Sequence, residues 1–387
     1  MKETAYGLIK DDWDIETLKD ICVSSGIQTG PFGSQLHQKD YLPVGTPIIT
    51  VEHLGENRIL HQDLPRISNA DRDRLSRYIM RKGDIIFSRV GSVDRRALVR
   101  DKEDGWLFSG RCLRVRPNNT KIDPDFLSWF FGLEMFKDYI RRIAVGATMP
   151  SLNTELLSNI PVIVPPLPEQ RSIAGILGAL DDKIEVNRSM NATLESMARA
   201  VFRQWFVENE EVGRWEVKTI GDICEFAYGK GLKADGRNAG TIPVYGSNGQ
   251  IGWHNEHLVK GPGIVVGRKG NPGIVTWAQK DFFPIDTTFY VVPKEKGASL
   301  YWLYYTLISK NLPDLGADSA VPGLNRNIAY TSDVNYPPYK IMKPYDEFTR
   351  PIFDKISAND EESRTLGSLR DSLLPKLMRG EVRVSAL

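Results

Sequence analysis

Two stretches of the chain, residues 1–160 and 213–336, are built from short apolar runs bounded by Gly, Asp or Pro. Runs of this kind are typical of β-strands. They occur at 48–50, 84–90, 96–100, 112–117, 242–245, 263–267, 273–277 and 287–292. In each stretch an aromatic-rich helical pattern follows the runs, at 124–142 after Asp123 as the predicted N-cap and at 299–310. The pattern predicts two α/β domains, each with a twisted, partly barrel-like sheet and peripheral helices.

The remaining segments, 161–212 and 337–387, are predicted to be long helices. Residues 169–207 contain no proline, and their apolar positions step by four and three, which is the heptad signal of a coiled coil. A helix of this length measures about 55 Å, so we expect a protruding rod, with a helix bundle in the core as the alternative. Asn187 and Asn359 are polar seam residues of the kind that fixes helix register. The predicted seam consists of Ile173, Leu177, Leu180, Ile184, Asn187, Leu194, Val201, Ile352, Ile356, Asn359, Leu366, Leu373 and Leu377.

The chain also repeats itself once. WDIETLKDIC at 13–22 returns as WEVKTIGDIC at 215–224, an offset of 202. GATMPSLN at 146–153 returns as DSAVPGLN at 318–325, an offset of 172 that continues without a gap into the helical segments. A solenoid usually needs three or more units, so two copies indicate an internal pseudo-dimer with two similar but unequal surfaces.

The composition of the whole chain indicates which general class of protein it belongs to. With 41% hydrophobic and 26% charged residues among 387, the chain has the make-up of a folded, soluble protein. No apolar run approaches the roughly 18 residues needed to span a bilayer, and the first residues lack the core of a signal peptide. Cys22, Cys112 and Cys224 have no CxxC spacing, which favours a reducing cytoplasm over a metal site. We therefore expect a cytoplasmic protein without a membrane partner.

The net charge of +1 argues weakly against a nucleic-acid partner, because domains that bind nucleic acid are usually basic. The charge is unevenly distributed, however, since residues 81–116 carry ten Lys or Arg against five Asp or Glu. This stretch indicates either a nucleic-acid surface or an ordinary solvated, charged face.

Complete catalytic motifs are absent from the sequence. NYPPY at 335–339 resembles the N-P-P-Y signature of amino-methyltransferases, but Tyr336 interrupts it and no FxGxG companion is present. The glycine-rich segments at 229–231 and 267–270 lack the GxxxxGK[ST] pattern of a phosphate-binding loop. The histidines form neither an HExxH nor a CxxC…H pattern. The sequence therefore favours a binding surface over a catalytic or metal site.

The predicted binding surface lies on loops rich in Gly, Ser, Asn, Gln, Arg and Tyr, because these side chains carry the donors and acceptors that read base edges. Arg89 and Arg268 form the leading pair, since each follows an apolar strand and precedes a glycine that lets the backbone approach a ligand. Ordinary turns are the alternative for any one of these loops. The candidate DNA-binding residues are Gln28, Thr29, Ser34, Gln35, Arg89, Ser92, Arg95, Arg96, Lys230, Lys233, Tyr245, Ser247, Asn248, Arg268, Lys269 and Asn271.

Taken together, these motifs resemble the specificity subunit of type I DNA restriction–modification systems. The strongest match is residues 146–207, where PPLPEQRSIAGILGALDDKIEVN looks like the central region of the family. IPVYGSNGQIGW and IVVGRKGNPG resemble a common second recognition domain, and KGDIIFSRVGSVDRR resembles another variety. The resemblance covers essentially the whole chain, but PPYKIMKPYDEF departs from the PPLPEQ pattern, so docking contacts there are expected to differ.

The resemblance implies a non-catalytic α+β subunit with target recognition domains at 1–160 and 213–336, separated by an antiparallel coiled coil of the two long helices. Each domain would read one half of a bipartite, asymmetric site in double-stranded DNA. The helices would set the spacer and dock two adenine methyltransferase subunits, and restriction/translocase subunits would join them. S-adenosylmethionine, ATP and Mg²⁺ are implied only for the partner subunits, with no cofactor or metal in this one.

Three alternatives to this assignment stay open. A self-contained enzyme would transfer methyl groups by itself, and a protein-only adaptor would leave its assembled complex without DNA binding. The specificity module of a related single-chain-style restriction–methylation system would differ in its neighbouring gene products. The DNA target itself does not follow from the sequence, because recognition depends on loop geometry and DNA shape as well as on side-chain identity.

Overall fold

The chain folds into two compact units. Unit 1 contains Met1–Ile184 and Arg364–Leu387, and unit 2 contains Glu185–Ser363, so that both long helices contribute residues to both units. The computed structural model describes residues 1–31, 33, 35–295, 297–315 and 323–384.

Unit 1 is built around an antiparallel four-stranded sheet. The strands of the unit are β1 (Lys2–Thr4), β2 (Gly7–Ile9), β3 (Asp14–Thr17), β4 (Cys22–Thr29), β5 (Thr46–Ile49), β6 (Arg66–Ile67), β7 (Ile85–Ser88), β8 (Arg96–Leu98), β9 (Leu107–Phe108), β10 (Cys112–Pro117) and β11 (Pro161–Val164). The helices are α1 (Asn69–Arg74), α2 (Pro124–Phe130), α3 (Glu134–Ile143), α4 (Thr154–Ser158) and the first part of α5 (Leu167–Phe206). The central sheet has the order β4-β10-β7-β8, β5 lies between β6 and β9, and β3 pairs with β11.

Unit 2 repeats this plan in fewer residues. Its strands are β12 (Glu216–Thr219), β13 (Cys224–Tyr228), β14 (Ile242–Gly246), β15 (Gly249–His254), β16 (Gly263–Gly267), β17 (Val275–Ala278), β18 (Phe283–Pro284), β19 (Thr288–Pro293) and β20 (Asp333–Tyr336). The remaining helices are α6 (Ile220–Ile223), α7 (Leu300–Ser309), α8 (Arg326–Tyr330) and α9 (Tyr339–Met378), which runs on into unit 1. The central sheet has the order β13-β19-β16-β17, β14 lies between β15 and β18, and β12 pairs with β20.

The two sheets correspond strand by strand. In unit 1 the strand β5 pairs in parallel with β9, and in unit 2 the strand β14 pairs in parallel with β18. In each unit the two segments that carry the sequence repeat, β3 and β11 or β12 and β20, form an antiparallel pair. The two repeated α/β domains expected from the sequence are therefore confirmed.

A core of aromatic and aliphatic side chains lies beneath each central sheet. In unit 1 it includes Trp13, Phe87 and Phe130, which are fully buried. In unit 2 Phe226 and Trp302 take the corresponding roles, and each is at most 2% exposed. The helix α2 begins at the N-cap that was predicted. The Asp123 carboxylate accepts a hydrogen bond from the amide of Phe126 at 3.0 Å.

The helix predicted at 124–142 is wrong in one respect, because it is broken into α2 and α3. The break falls at Gly132, where a Cβ atom would collide with the guanidinium of Arg96 from β8. Leu133 then takes an extended conformation, with φ −60° and ψ 134°, before α3 begins. The Arg96 guanidinium thus explains why residue 132 is a glycine, and a glycine just past the last turn is itself a signal that ends a helix.

The two long helices have the same length and the same place in the repeat. Both α5 and α9 span 40 residues, which corresponds to about 60 Å each. α9 is continuous although Pro344, Pro351 and Pro375 lie within it. Among the described residues, no helix combines the length and the apolarity that crossing a membrane requires.

Candidate nucleic-acid interface

The two leading arginines occupy the same main-chain frame. Arg89 follows the fully buried strand β7, and its amide donates to the carbonyl of Arg111 at 2.8 Å. Its own carbonyl accepts the amide of Leu152 at 2.9 Å, and its Nη1 donates to the carbonyl of Gly110 at 3.0 Å. The predicted placement of an arginine at the end of a buried strand is therefore found in unit 1.

Arg268 repeats every one of these contacts in unit 2. Its amide donates to the carbonyl of Thr287 at 2.9 Å, and its carbonyl accepts the amide of Leu324 at 3.0 Å. Its Nη1 donates to the carbonyl of Asp286 at 3.0 Å. In both units a backbone carbonyl thus accepts a hydrogen bond from Nη1 of the arginine.

The glycines after these arginines are required by the backbone. Gly91 has φ +81° and Gly270 has φ +85°, a region in which residues with a Cβ atom are strained. Nothing lies within 4 Å of the position of a Cβ on Gly91, so the turn at 89–92 is open to solvent. Both turns therefore present their main chain as well as an arginine side chain.

Unit 2 brings several predicted residues to one place. Asn271 Nδ2 donates to Asn248 Oδ1 at 2.6 Å, and a Cβ on Gly270 would lie 3.3 Å from Ser247 Oγ. The turns at 246–249 and 268–271 are therefore neighbours, as one binding surface requires. Lys269 is exposed beside them, and Lys230 and Lys233 are exposed on the loop after β13.

Unit 1 holds its predicted residues in a less uniform way. Gln28 Oε1 accepts a hydrogen bond from Arg114 Nη2 at 2.8 Å, and Gln35 Oε1 accepts one from the Tyr78 hydroxyl at 2.8 Å. Thr29, at the end of β4, is half-buried, and Ser92 is exposed. Arg95 donates from Nη2 to the carbonyl of Leu54. Ser34 lies outside the residues that the structure describes.

Two predicted residues are corrected because they lie in the interior. Arg96 is 2% exposed, and its guanidinium donates to the Ser128 carbonyl and to Glu56 Oε1, both at 3.0 Å. Burial lowers the pKa of this guanidinium, while the Glu56 carboxylate opposes the shift. Tyr245 is 9% exposed and packs edge-on against Phe282. Neither side chain is placed to contact DNA.

Tyr228 and Arg326 form a cluster with Arg268 that the sequence did not reveal. The Tyr228 side chain is 54% exposed, and its ring centroid lies 5.1 Å from the guanidinium carbon of Arg268 and 5.0 Å from that of Arg326. Arg326 is anchored by a hydrogen bond from its Nη1 to the carbonyl of Phe226 at 3.1 Å. The one sequence signal was an aromatic residue directly before the Gly-Lys-Gly turn.

The helical seam is mostly found where it was predicted. Buried seam residues are Ile173, Leu177, Ile184, Asn187, Ile352, Asn359 and Leu377, and half-buried ones are Leu180, Leu194, Val201, Ile356, Leu366 and Leu373. In unit 2, Asn187 Nδ2 donates to Glu362 Oε2 at 2.8 Å, and Asn191 Nδ2 donates to Asp360 Oδ1 at 2.8 Å. Later residues of α5 thus meet earlier residues of α9, and the two helices are antiparallel.

A buried carboxylate joins both helices to the sheet domain within unit 1. The Asp181 side chain is 4% exposed and lies 2.7 Å from Arg58 Nη2 and 2.7 Å from Arg370 Nη1. Arg370 also lies over the Trp129 ring, 5.9 Å from its centroid. This arrangement fixes α5, α9 and the loop that carries Arg58 to one another.

The sequence predicts that Ile176, Met197, Phe202 and Phe206 face outward from α5 toward a protein partner, and this prediction is wrong for three of them. Phe202 and Phe206 are each 6% exposed and belong to the core of unit 2, where Phe206 packs edge-on against Tyr345. Ile176 packs against the core of unit 1. Met197 is 48% exposed, and Val186 and Met190 are exposed on the same helix.

None of the three cysteines is exposed. Cys112 and Cys224 are buried, Cys22 is half-buried, and burial raises the pKa of each thiol to about 12. Thiols with such pKa values are protonated at neutral pH and unreactive. Among the described residues, no group of His, Cys, Asp and Glu side chains is arranged to hold a metal ion.

Comparison with known proteins gives a consistent result. A family model described as type I restriction modification DNA specificity domain matches residues 10–196 and 213–347. The chain is 26% identical to the type I restriction enzyme MjaIX specificity subunit of Methanocaldococcus jannaschii, with 100% of this chain and 97% of the relative covered. It is 22% identical to the type I restriction enzyme HindI specificity subunit of Haemophilus influenzae, with 84% and 92% covered.

The fold is also found among solved structures. The crystal structure of a type I restriction-modification system S subunit from M. genitalium superimposes with a TM-score of 0.62, at 18% sequence identity. The match covers 95% of this chain and 96% of that one, so the shared architecture extends over both repeats and both long helices.

Proposed function

The chain belongs to the family of specificity subunits of type I restriction–modification systems, whose members recognise DNA sequence, and we propose that each of its two units reads one half of a bipartite, asymmetric site. The observation that carries this proposal is the repeated arginine turn. Arg89 and Arg268 share the same main-chain contacts, but different side chains surround them. Two arginines with the same main-chain contacts but different neighbouring side chains are suited to recognise two different half-sequences.

Methylation mapping tests this proposal. DNA treated with the assembled complex and S-adenosylmethionine is sequenced so that methylated adenines are located. The expected result is one split sequence with two dissimilar halves and an unread spacer. A pattern without two separate halves, or methylation that is unaffected when this chain is omitted, contradicts the proposal.

We expect Arg89→Ala and Arg268→Ala each to weaken recognition of one half-sequence, and of a different half in each case. A lost base contact costs about 1–3 kcal/mol, or roughly 5- to 150-fold in affinity. Binding of the complex to duplexes with either half scrambled measures the effect. Arg72→Ala and Arg214→Ala, which remove surface arginines elsewhere in units 1 and 2, are the matched controls.

An equal loss on every duplex, together with a smaller dependence of binding on salt, would instead show that Arg89 and Arg268 neutralise phosphates. That result would contradict their assignment to base reading.

The proposal extends to the long helices and to protein partners. In this proposal α5 and α9 set the spacer and dock two adenine methyltransferase subunits, to which restriction/translocase subunits add. Its support is the family membership and the unbroken 40-residue length of both helices. In the same proposal the chain is non-catalytic and binds no cofactor, so that S-adenosylmethionine, ATP and Mg²⁺ are bound by the partners.

An exposed apolar stripe on α5 is the part of this docking surface that we propose first. Val186, Met190 and Met197 are 53%, 36% and 48% exposed, and their spacing of four and seven residues keeps them on one face of the helix. Burying exposed apolar surface of this kind against a partner is favourable by roughly 25 cal/mol per Å². The stripe also accounts for an expected tendency of the isolated chain to associate.

We predict that the purified chain alone binds DNA weakly and gains tight, specific binding once the methyltransferase is added. The near-zero net charge offers little unspecific attraction to phosphates. Met190→Glu should lower co-purification of the methyltransferase, whereas Ala192→Glu, about 200° around the same helix, should not. Tight, sequence-specific binding by the chain alone would contradict the prediction, as would equal effects of the two substitutions.

A further inference from the structure

Unit 2 carries one surface cluster whose charges are unbalanced. Tyr228, at the end of β13, lies within 5.1 Å of the guanidinium of Arg268 and 5.0 Å of that of Arg326, measured from its ring centroid. Arg326 also lies 5.8 Å from the centroid of the Tyr330 ring. Two guanidinium groups therefore share one exposed aromatic ring.

Neither Arg268 nor Arg326 forms a salt bridge with a carboxylate in the described part of the chain. Each arginine is held by a single backbone carbonyl, that of Asp286 or that of Phe226. Like charges that are brought together repel each other, and the electron-rich face of the ring offsets only part of this repulsion. A ligand that accepts hydrogen bonds would offset the remaining positive charge.

The contacts of Arg268 restrict which acceptor fits. Its Nη1 donates to the Asp286 carbonyl, and its guanidinium lies over the ring of Tyr228. Nε and Nη2 remain as two parallel donors on one side of the guanidinium. The O6 and N7 atoms of guanine form the matching pair of acceptors on one base edge. Binding of a phosphate would require the positive charge of Arg268, but it would not require its guanidinium to be held in one plane.

The role of Arg326 differs from that of Arg268. Its Nε is buried without a hydrogen-bond partner in the described structure, and its Nη1 is bonded to the Phe226 carbonyl. Its guanidinium is therefore less available to a base edge. It adds positive potential beside Arg268 and packs on the same ring, which makes it a positioning residue.

The corresponding place in unit 1 has different chemistry. Tyr228 pairs with Phe289 across the sheet, and Thr29 pairs in the same way with Leu113. On its other side, Phe289 pairs with the strand that leads to Arg268. Leu113 pairs in the same way with the strand that leads to Arg89. A threonine thus stands where unit 2 has its aromatic ring.

The position of Arg326 is also changed in unit 1. Arg326 follows Asn325, which caps α8, and Thr154 follows Asn153, which caps α4. Threonines, Thr29 and Thr154, therefore occupy the positions in unit 1 that correspond to Tyr228 and Arg326.

We propose that Tyr228, Arg268 and Arg326 form a guanine-reading site, so that the half-sequence read by unit 2 contains a G·C pair contacted by Arg268. Tyr228 and Arg326 hold the Arg268 guanidinium in the plane of the base edge. This inference rests on the proposed function, and it adds the identity of one base and two residues that sequence analysis did not select.

The test begins by assigning the half-sequence to unit 2. Residues 213–336 are replaced by the corresponding range of a relative, and methylated adenines are mapped with the exchanged and the original chain, each in complex with its methyltransferase. The half-sequence that changes belongs to unit 2. If neither half changes, the proposed function itself fails, and this outcome is distinct from those below.

The guanine is then tested with duplexes of the mapped target in which single guanines of that half-sequence are replaced by 7-deazaguanine, which lacks the N7 acceptor. We expect one such replacement to lower the affinity of the complex about 10-fold. The same replacement should have no further effect on the Arg268→Ala complex. A half-sequence without a G·C pair, or a 7-deazaguanine effect that persists in Arg268→Ala, overturns the proposal.

Variants of Tyr228 separate positioning from simple space filling. Tyr228→Phe keeps the aromatic face and should retain the affinity and the 7-deazaguanine effect. Tyr228→Leu removes the face and should lower affinity about 5-fold on the target while leaving binding to a duplex with the unit 2 half scrambled unchanged. Arg326→Ala should have the same effect as Tyr228→Leu on both duplexes. Equal behaviour of the Phe and Leu variants, or a uniform loss on all duplexes, overturns the positioning role.

Discussion

Inserting four residues into both long helices, after Asn187 and after Asp360, is expected to abolish methylation of the original target and to create a new one whose spacer is longer by about one or two base pairs. Four residues lengthen a helix by about 6 Å and rotate it about 40° beyond a full turn. B-DNA advances about 3.4 Å per base pair. If the helices set the distance between half-sequences, as proposed, both halves should stay the same.

The insertion points follow from the contacts in unit 2. An insertion after Asp360, rather than directly after Asn359, keeps Asn191 with Asp360 and Asn187 with Glu362. Methylation mapping with the complex gives the result. The same insertion in α5 alone is the matched control, and it should inactivate the complex because the helices no longer match. Retained activity with an unchanged spacer would mean that the helices do not set the distance.

Trp13→Ala is expected to destabilise unit 1 by about 3–5 kcal/mol, the usual cost of removing a buried tryptophan. Trp13 is fully buried and packs in the core of unit 1. Its Nε1 donates to Glu169 Oε2 at 3.0 Å, and Lys10 lies 3.3 Å from the same carboxylate. The residue thus links the first strands of the unit to the first turn of α5.

The repeat offers a matched comparison for this prediction. Trp215 takes the place of Trp13 in unit 2 and is 9% exposed, but Ile341 stands where unit 1 has Glu169. Trp13→Phe removes a hydrogen bond worth about 1 kcal/mol or more, because the acceptor is a carboxylate, whereas Trp215→Phe removes none within the described structure. Hydrogen exchange of the assembled complex, followed by mass spectrometry, reports the stability of each unit. Equal losses from the two Phe variants would contradict this account.

The long helices were predictable because their heptad pattern is a local property of the sequence. The heptad pattern predicted the helix correctly even though three prolines, Pro344, Pro351 and Pro375, would each be expected to interrupt α9. The structure keeps α9 continuous from Tyr339 to Met378. Pairing of its apolar face with α5 offsets the amide hydrogen bonds that proline cannot make.

The errors came from contacts between residues that are far apart in sequence. The glycine that follows α2, Gly132, is required because Arg96, from a different strand, occupies the space that a Cβ would fill. For the same reason Arg96 could not be recognised as buried: its partners Glu56 and Ser128 lie 40 and 32 residues away. A run of arginines looks alike in sequence whether its members face solvent or the core.

The candidate site was predictable in outline and not in detail. The repeat placed Arg89 and Arg268 correctly with respect to each other, since each lies at the end of a buried apolar strand. Tyr228 and Arg326 were missed because they are brought together across 98 residues of chain, and no spacing rule links them. Such a cluster exists only once the sheet has formed.

The shared frame of the two arginine turns has a consequence for how such proteins diversify. Its defining hydrogen bonds join main-chain atoms, such as the amide of Leu152 to the carbonyl of Arg89 and the amide of Leu324 to that of Arg268. Main-chain bonds survive when neighbouring side chains are exchanged. Under the proposed function, replacements at places such as Thr29 or Tyr228 would therefore alter one half-sequence at little cost to folding and without disturbing the other. A lineage can then acquire new targets one half at a time, through functional intermediates.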